Sequence, residues 1–169
     1  MVEGAWRDDA LARIERARHY TLELTQDLAE ADFFRQPAEG VTHIAWQLGH
    51  LAMAEYALAL ARVRESQPGD RDVISREFRR HFGKGSTPDS DPKHNPPVAE
   101  ILAVLDRVHQ QVLREVPTLP EAHLLETLAQ PHPMFDTRLG ALRFCADHEM
   151  LHAGQIGLLR RLLGKPPLR

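Results

Sequence analysis

One long helix that is apolar on nearly every face constrains the fold of this chain more than any other feature. The predicted helix runs from about His43 to Glu65. Its apolar core, Ile44 to Ala61, has the length of a membrane span, but it contains Gln47, His50 and Glu55, which are expensive to place in hydrocarbon. Such a helix must be covered on more than one side, by its own bundle or by a second subunit. The sequence therefore predicts a buried helix of a helical bundle, and it also predicts a homodimer.

Three further segments repeat apolar residues at helical spacing, and no segment alternates as a strand does. They run from about Ala5 to Ala29, from Pro96 to Val116, and from about Thr137 to Leu163. In the first segment, the arginines and acids are predicted to lie on the outer faces, and Thr42 is the predicted N-cap of the second helix. Four long helices with one extended connection predict an all-α four-helix bundle, a fold in which facing helices commonly build metal sites.

The 169 residues fit one domain, which we assign to the whole chain, 1–169. The composition changes at about 66–97, where Gly, Pro, Ser, Asp and Arg predominate. We predict an irregular insertion here, with a short helix from Val73 to Phe82, that covers one end of the site. Gly83 to Pro88 resembles a phosphate-binding loop, but its spacing is wrong and no strand precedes it, so nucleotide binding is not expected.

Charge and cysteine content indicate the compartment. The 21 basic and 24 acidic residues give a net charge of -3, which argues against nucleic acid or an anionic membrane as a partner. The one cysteine cannot form an internal disulfide, and Met1 to Asp9 carry acids where a signal peptide needs a basic and then an apolar run. We expect a cytoplasmic protein.

Two histidines four residues apart mark the last helix. Because 3.6 residues make one turn, His148 and His152 project from the same face and can reach one metal ion. They occupy a predicted inward stripe with the following members: Leu142, Cys145, His148, His152, Gln155, Leu159 and Leu162. Metal binding satisfies two polar rings on a buried stripe, and the alternative is a pair of core histidines hydrogen-bonded to other side chains.

The sequence His148-Glu149-x-x-His152 also matches the helix of zinc peptidases, in which the glutamate activates water. Those enzymes take a third ligand further along the chain, but no His, Asp, Glu or Cys follows His152 here. The third ligand must therefore come from upstream, and His50 in the apolar second helix is the best candidate. Its neighbour Gly49 indicates close approach of another element, because glycine is unfavourable inside a helix.

The other polar residues near the histidine pair, and the remaining histidines, are not predicted to be metal ligands. Cys145 and Gln155 share the stripe with the histidine pair, and we place them next to the ligands rather than among them. His43 at a helix start suits capping or the rim of a cleft. The remaining histidines lack paired spacing and are predicted to be solvated or locally bonded: His19, His81, His94, His109, His123 and His132.

Together these motifs resemble the DinB-like family of cytosolic bacterial four-helix bundles. The matching stretches are Ala31-Asp32, Arg35-Gln36-Pro37 with Gly40, Trp46-Gln47-Leu48-Gly49-His50-Leu51, and His148-Glu149-x-x-His152-x-Gly154-Gln155. The resemblance implies that His50, His148 and His152 hold a divalent metal. It also implies relatives that are metal-dependent transferases and isomerases using low-molecular-weight thiols, many of them homodimers.

The leading functional hypothesis is a metal-dependent enzyme that acts on a small-molecule substrate, a transferase using a low-molecular-weight thiol or an enzyme resembling a hydrolase. Glu149 is the nearest candidate base. Three imidazoles suit zinc and nickel, and also iron and copper. The alternatives are a non-catalytic metal-binding or stress-related bundle, and a bundle with buried, metal-free histidines.

Overall fold

The computed structural model describes residues 4–168 and is mostly helical. The acidic N-terminal stretch begins with Met1 to Glu3, and these three residues and Arg169 lie outside the described residues. Three short 3-10 turns also occur, at Glu30–Asp32, Pro92–His94 and Val116–Thr118. The main elements are α1 (Ala5–Glu23), α2 (Ile44–Glu55), a π-helical continuation (Tyr56–Ala61), α3 (Arg62–Arg64), α4 (Asp70–Val73), α5 (Arg76–His81), α6 (Val98–Glu115), α7 (Glu121–Leu124), β1 (Thr127–His132), β2 (Phe135–Thr137) and α8 (Arg138–Leu162).

The four long helices pack around one apolar core, which confirms the predicted four-helix bundle. Helix α1 lies mainly against α8, and α2 lies against both α6 and α8. Ile14 of α1, Leu48 of α2, Leu105 of α6 and Leu142 of α8 are all buried in this core. The bundle thus places the α2 and α8 histidines on neighbouring helices.

Helix α2 is apolar all round because the chain itself covers it. Nearly all its side chains are buried, against α6, α8 and the segment that carries Phe82. The pattern that led to the homodimer prediction is therefore explained within one chain, and the homodimer stays a prediction. No helix among residues 4–168 is long and apolar enough to cross a membrane.

Several predicted boundaries were wrong. Helix α1 ends at Glu23 rather than near Ala29. His43, and not Thr42, caps α2, because its Nδ1 accepts a hydrogen bond from the Trp46 amide at 3.1 Å. Within the 66–97 segment, α5 lies inside the helix predicted from Val73 to Phe82 but begins three residues later, and a further short helix, α4, precedes it.

A two-stranded antiparallel hairpin, β1 and β2, precedes α8, although no segment of the sequence predicts a strand. Leu128 and Phe135 are buried, but the residues on both sides of each are exposed, and buried and exposed residues do not alternate along the hairpin. The hairpin therefore lacks the alternating apolar pattern from which a strand could be predicted. Thr137 ends the hairpin and caps α8 by accepting a hydrogen bond from the Gly140 amide. The hairpin is thereby fixed against the start of α8.

Candidate metal centre

Three histidines from two helices meet on one side of the bundle. His50 lies on α2, and His148 and His152 lie one turn apart on α8. One nitrogen from each ring lies within 4.8 Å of the others. The ring centroids are 5.4 Å apart for His50 and His148, 4.8 Å for His50 and His152, and 4.5 Å for His148 and His152. These separations allow one metal ion to bind all three rings.

Hydrogen bonds to oxygen acceptors set the protonation of two rings. His50 Nδ1 donates to the Phe82 carbonyl oxygen at 2.8 Å, and His152 Nδ1 donates to Gln47 Oε1. Gln47 in turn donates through Nε2 to Gln155 Oε1 at 2.9 Å. Because an Nδ1 that donates carries the ring proton, each neutral ring keeps its lone pair on Nε2, the usual arrangement behind a metal-ligating histidine.

Burial keeps the three rings neutral. It lowers the pKa of His50, and for His148 burial together with His50 and His132 lowers the pKa to about 4. The pKa of His152 falls to about 3, through burial and through His148 and His50. Neutral imidazole is the form that binds metal, so protons do not compete for these rings near pH 7.

The donor set fits a divalent ion with open coordination positions. Three neutral imidazoles suit zinc, nickel, iron or copper, and catalytic sites typically have three protein ligands. Among residues 4–168 no Cys, Asp, Glu or further His joins this group. A structural site would be expected to close at four protein ligands.

The predicted inward stripe of α8 was partly wrong. Leu142, Cys145 and Leu159 are buried, but Leu162 and Gln155 are exposed and the two histidines are half-buried. The fully buried stripe is rotated toward the positions Ala146, Glu149, Ala153, Ile156 and Arg160. The histidines therefore lie at the edge of the core, where a small molecule can reach them.

Glu149 does not join the histidines. Its two carboxylate oxygens accept hydrogen bonds from Arg18 Nε at 2.8 Å and Nη2 at 3.1 Å, and its side chain is buried. Arg18 also donates to Glu55 Oε2 at 2.8 Å, and His109 Nδ1 donates to Glu55 Oε1 at 2.8 Å. The carboxylate expected to serve as a base is thus held within a buried ionic network that connects α1, α2, α6 and α8.

Cys145 belongs to the surroundings of this network and not to the metal group. Its side chain is buried. Burial raises the pKa of the thiol well above its usual range, and the charges of Glu55 and Glu149 raise it further. The thiol therefore stays protonated at neutral pH and is a poor metal ligand or nucleophile.

Aromatic rings surround the three histidines. Trp46 stacks on His50 with ring centroids 4.9 Å apart, and its Nε1 donates to Ser86 Oγ at 2.9 Å. On the other side, Phe144 lies 6.0 Å from His148 between ring centroids. Ser86 comes from the 66–97 segment, so this segment contacts the site both here and through the Phe82 carbonyl.

Sequence reasoning missed three groups that hold the site and its helices. Gln47 receives no role at the site from the sequence, yet a polar residue in an apolar helix needs a partner, and Gln47 finds it in His152. Arg18 was assigned to an outer face but is buried, because it lies four residues after Ile14, on the same side of α1. The Phe82 carbonyl gave no sequence signal, since a backbone group has none.

Replacement of Gln47 by leucine is expected to weaken metal binding about 10- to 100-fold, the usual effect of losing an outer hydrogen-bond partner of a ligand histidine. The His152 ring then loses the acceptor that keeps its proton on Nδ1. Competition with a chromogenic chelator measures the change. Gln110→Leu, on the exposed surface of α6, is the control and should leave the affinity unchanged; equal affinities for Gln47→Leu and the control would contradict the expectation.

Comparison with known proteins identifies one family. The model of the DinB superfamily matches residues 13–156, which include all three histidines, the whole of α2 and α8 as far as Ile156. A search of curated proteins finds no significant match.

Proposed function

Because the chain belongs to the DinB superfamily, we propose that it is a metal-dependent enzyme, a transferase that acts with a low-molecular-weight thiol. The ligands are His50, His148 and His152, and the ion is divalent, with zinc and nickel the first candidates. A bound ion of this kind supplies Lewis acidity toward a thiol at neutral pH.

One observation carries the proposal: three neutral imidazoles converge, and two of them have their protons fixed on Nδ1, which leaves the Nε2 lone pair for an ion. The hydrogen bonds from His50 to Phe82 and from His152 to Gln47 fix these protons. The rings therefore need no reorganisation to present Nε2 lone pairs to an ion.

The protein's own residues supply binding and exclusion of water rather than proton transfer. Trp46 covers one face of His50 and Phe144 adjoins His148, so the region next to the ligands is apolar. Glu149 is bound to Arg18, and our proposal assigns it no proton-transfer step.

A non-catalytic metal protein is the alternative. Such a site would be supported by a fourth protein ligand, such as Cys145 at bonding distance. Cys145 is buried beside the charges of Glu55 and Glu149, and it is not in the metal-binding group of the described residues. This arrangement favours an open site over a closed one.

The proposal is tested by elemental analysis of untagged protein purified without chelator, followed by thiol-transfer assays with the metal found. We expect about one ion per chain in the wild type. His152→Ala and His50→Ala should lose it together with thiol-dependent turnover. Because the pKa values of His148 and His152 are about 4 and about 3 and burial also lowers the pKa of His50, occupancy should be the same at pH 6.0 as at pH 7.5.

His94→Ala is the matched control, since this histidine is exposed and bonded to Asp89 at 2.8 Å. It should keep both metal and turnover. If His152→Ala retains both metal and thiol-transfer activity, the proposed site is wrong. Metal bound without any thiol-dependent turnover would favour the non-catalytic alternative.

A homodimer in the cytoplasm is also part of this proposal. Several large apolar side chains are exposed on α1 and α8 of the single chain: Leu22, Met150, Leu151, Leu158 and Leu162. Of these, Leu151, Leu158 and Leu162 recur at helical spacing on one face of α8, and an exposed apolar face supports an interface between subunits. Sedimentation equilibrium of the purified protein measures the subunit number.

A further inference from the structure

His132 is a histidine that spacing alone left unassigned, and the hairpin places it near the candidate metal centre. The ring of Phe144 lies 5.6 Å from His132 and 6.0 Å from His148, measured between centroids. His132 is thus separated from a proposed metal ligand by one aromatic ring. It is not among the residues whose nitrogens converge for metal binding.

Two contacts fix the orientation and protonation of the His132 ring. Its Nδ1 accepts a hydrogen bond from the Met134 amide at 3.3 Å, so the proton of the neutral ring is on Nε2. The ring stacks on Phe135, with centroids 4.6 Å apart and planes 16° apart. Within residues 4–168 no group hydrogen-bonds to Nε2, which leaves one N–H donor for a ligand.

The hairpin that carries this donor is held rigidly. Phe135 is buried and packs against Gly140 so closely that a Cβ on this glycine would lie 2.8 Å from the Phe135 Cβ. Phe144 adjoins the Phe135 ring at a centroid distance of 5.4 Å. A donor on a packed scaffold is better suited to recognise a ligand than one on a mobile loop.

A positive charge lies beside the same aromatic cluster. The Arg62 guanidinium carbon is 5.8 Å from the centroid of the Phe135 ring, and Arg62 makes no ion pair with any of the described residues 4–168. An N–H donor and a guanidinium at one aromatic cluster, whose Phe144 ring adjoins His148, favour a ligand with an apolar stem and an anionic end.

We propose that the hairpin recognises the substrate, with His132 Nε2–H donating to a carboxylate on a thiol whose sulfur binds at the three-histidine centre. The apolar stem of that thiol packs on Phe144. This inference rests on the proposed function, since it names the class of thiol: one that bears a carboxylate a few bonds from its sulfur.

The test uses full-length protein loaded with Co²⁺, whose absorption reports thiol binding directly and without turnover. Titrations with 3-mercaptopropionate and with propanethiol compare an anionic with an apolar ligand of the same length. His132→Phe keeps the stacking on Phe135 but removes the donor. It should lower the affinity for 3-mercaptopropionate about tenfold, which is the effect of one hydrogen bond to a charged group. The affinity for propanethiol should change by less than about twofold.

Two further variants separate recognition from a structural role. His132→Gln keeps an N–H donor and should recover part of the preference for the carboxylate. Met134→Ala, whose side chain is exposed at the same turn, should behave as wild type.

Each outcome decides the inference. A loss limited to the carboxylate ligand supports it. An equal loss of affinity for both thiols in His132→Phe, or no loss for either, overturns the inference but leaves the proposed metal centre unaffected. If Co²⁺ does not bind to the wild type, the proposed function fails, and the inference fails with it.

Discussion

Arg18→Met is expected to destabilise the fold by about 3–5 kcal/mol, the usual result of removing one partner from a buried ion pair. Arg18 is only 4% exposed and its guanidinium binds Glu55, Glu149 and the Leu105 carbonyl oxygen. Without it two carboxylates remain in the core with no compensating cation. Because a domain of this size is stable by only about 5–15 kcal/mol, the variant should lose a large part of its stability.

Urea unfolding followed by circular dichroism measures this change. Arg13→Met is the control on the same helix, because Arg13 pairs with Asp9 at the surface and should cost less than about 0.5 kcal/mol. The triple variant Arg18→Met, Glu55→Gln, Glu149→Gln removes the charges together and should recover a large part of the loss. A single variant as stable as the Arg13 control would show that the network does not stabilise the bundle.

The pH dependence of the same variants follows from the pKa shift at Glu55. Burial opposes ionisation of this carboxyl, but Arg18 and His109 outweigh burial and lower its pKa. In the wild type the stabilisation from the ionised Glu55 carboxyl is therefore fully present above the pKa of this group in the unfolded chain. It is lost as the pH falls through the lower pKa of the folded state. In Arg18→Met burial dominates and the carboxyl pKa rises, so the variant should lose stability as the pH rises. The difference in the free energy of unfolding between Arg18→Met and the wild type should therefore become smaller as the pH falls from 8 to 5.

Gly49→Ala is expected to disturb the metal centre through Phe82. A Cβ at this position would lie 2.5 Å from the Phe82 ring, which is fully buried and cannot turn away. The overlap should destabilise the fold by about 1–3 kcal/mol, although alanine favours a helix by about 1 kcal/mol over glycine. As Phe82 moves, its carbonyl releases His50 Nδ1, and metal affinity should fall about tenfold.

Thermal unfolding and the chelator competition measure both effects. Gly154→Ala is the matched control, since a Cβ there meets nothing within 4 Å on the exposed side of α8, and it should stabilise the helix slightly. The double variant Gly49→Ala, Phe82→Ala should lose less stability than the sum of the losses in the two single variants, because removal of the Phe82 ring makes room for the alanine Cβ. Strictly additive losses would mean that contact with Phe82 is not the cause.

The sequence by itself determined the helices and the histidines. Apolar spacing predicted the four long helices and the bundle, and both are confirmed, as is the family that the motifs resemble. The spacing of His148 and His152 is local to one helix, so the sequence predicts that both rings share a face. His50 needed an argument by elimination and a resemblance, because its distance to the pair depends on how α2 packs on α8.

The tertiary structure decided every contact between residues far apart in the chain. The Phe82 carbonyl behind His50, the Arg18 network that holds Glu149, and the hairpin that brings His132 near His148 each join separate segments. Periodicity gives the face of one helix but neither its rotation against a neighbour nor the path of a connecting segment. For this reason the sequence identified the three histidines, whereas only packing shows which groups orient them and which carboxylate is held elsewhere.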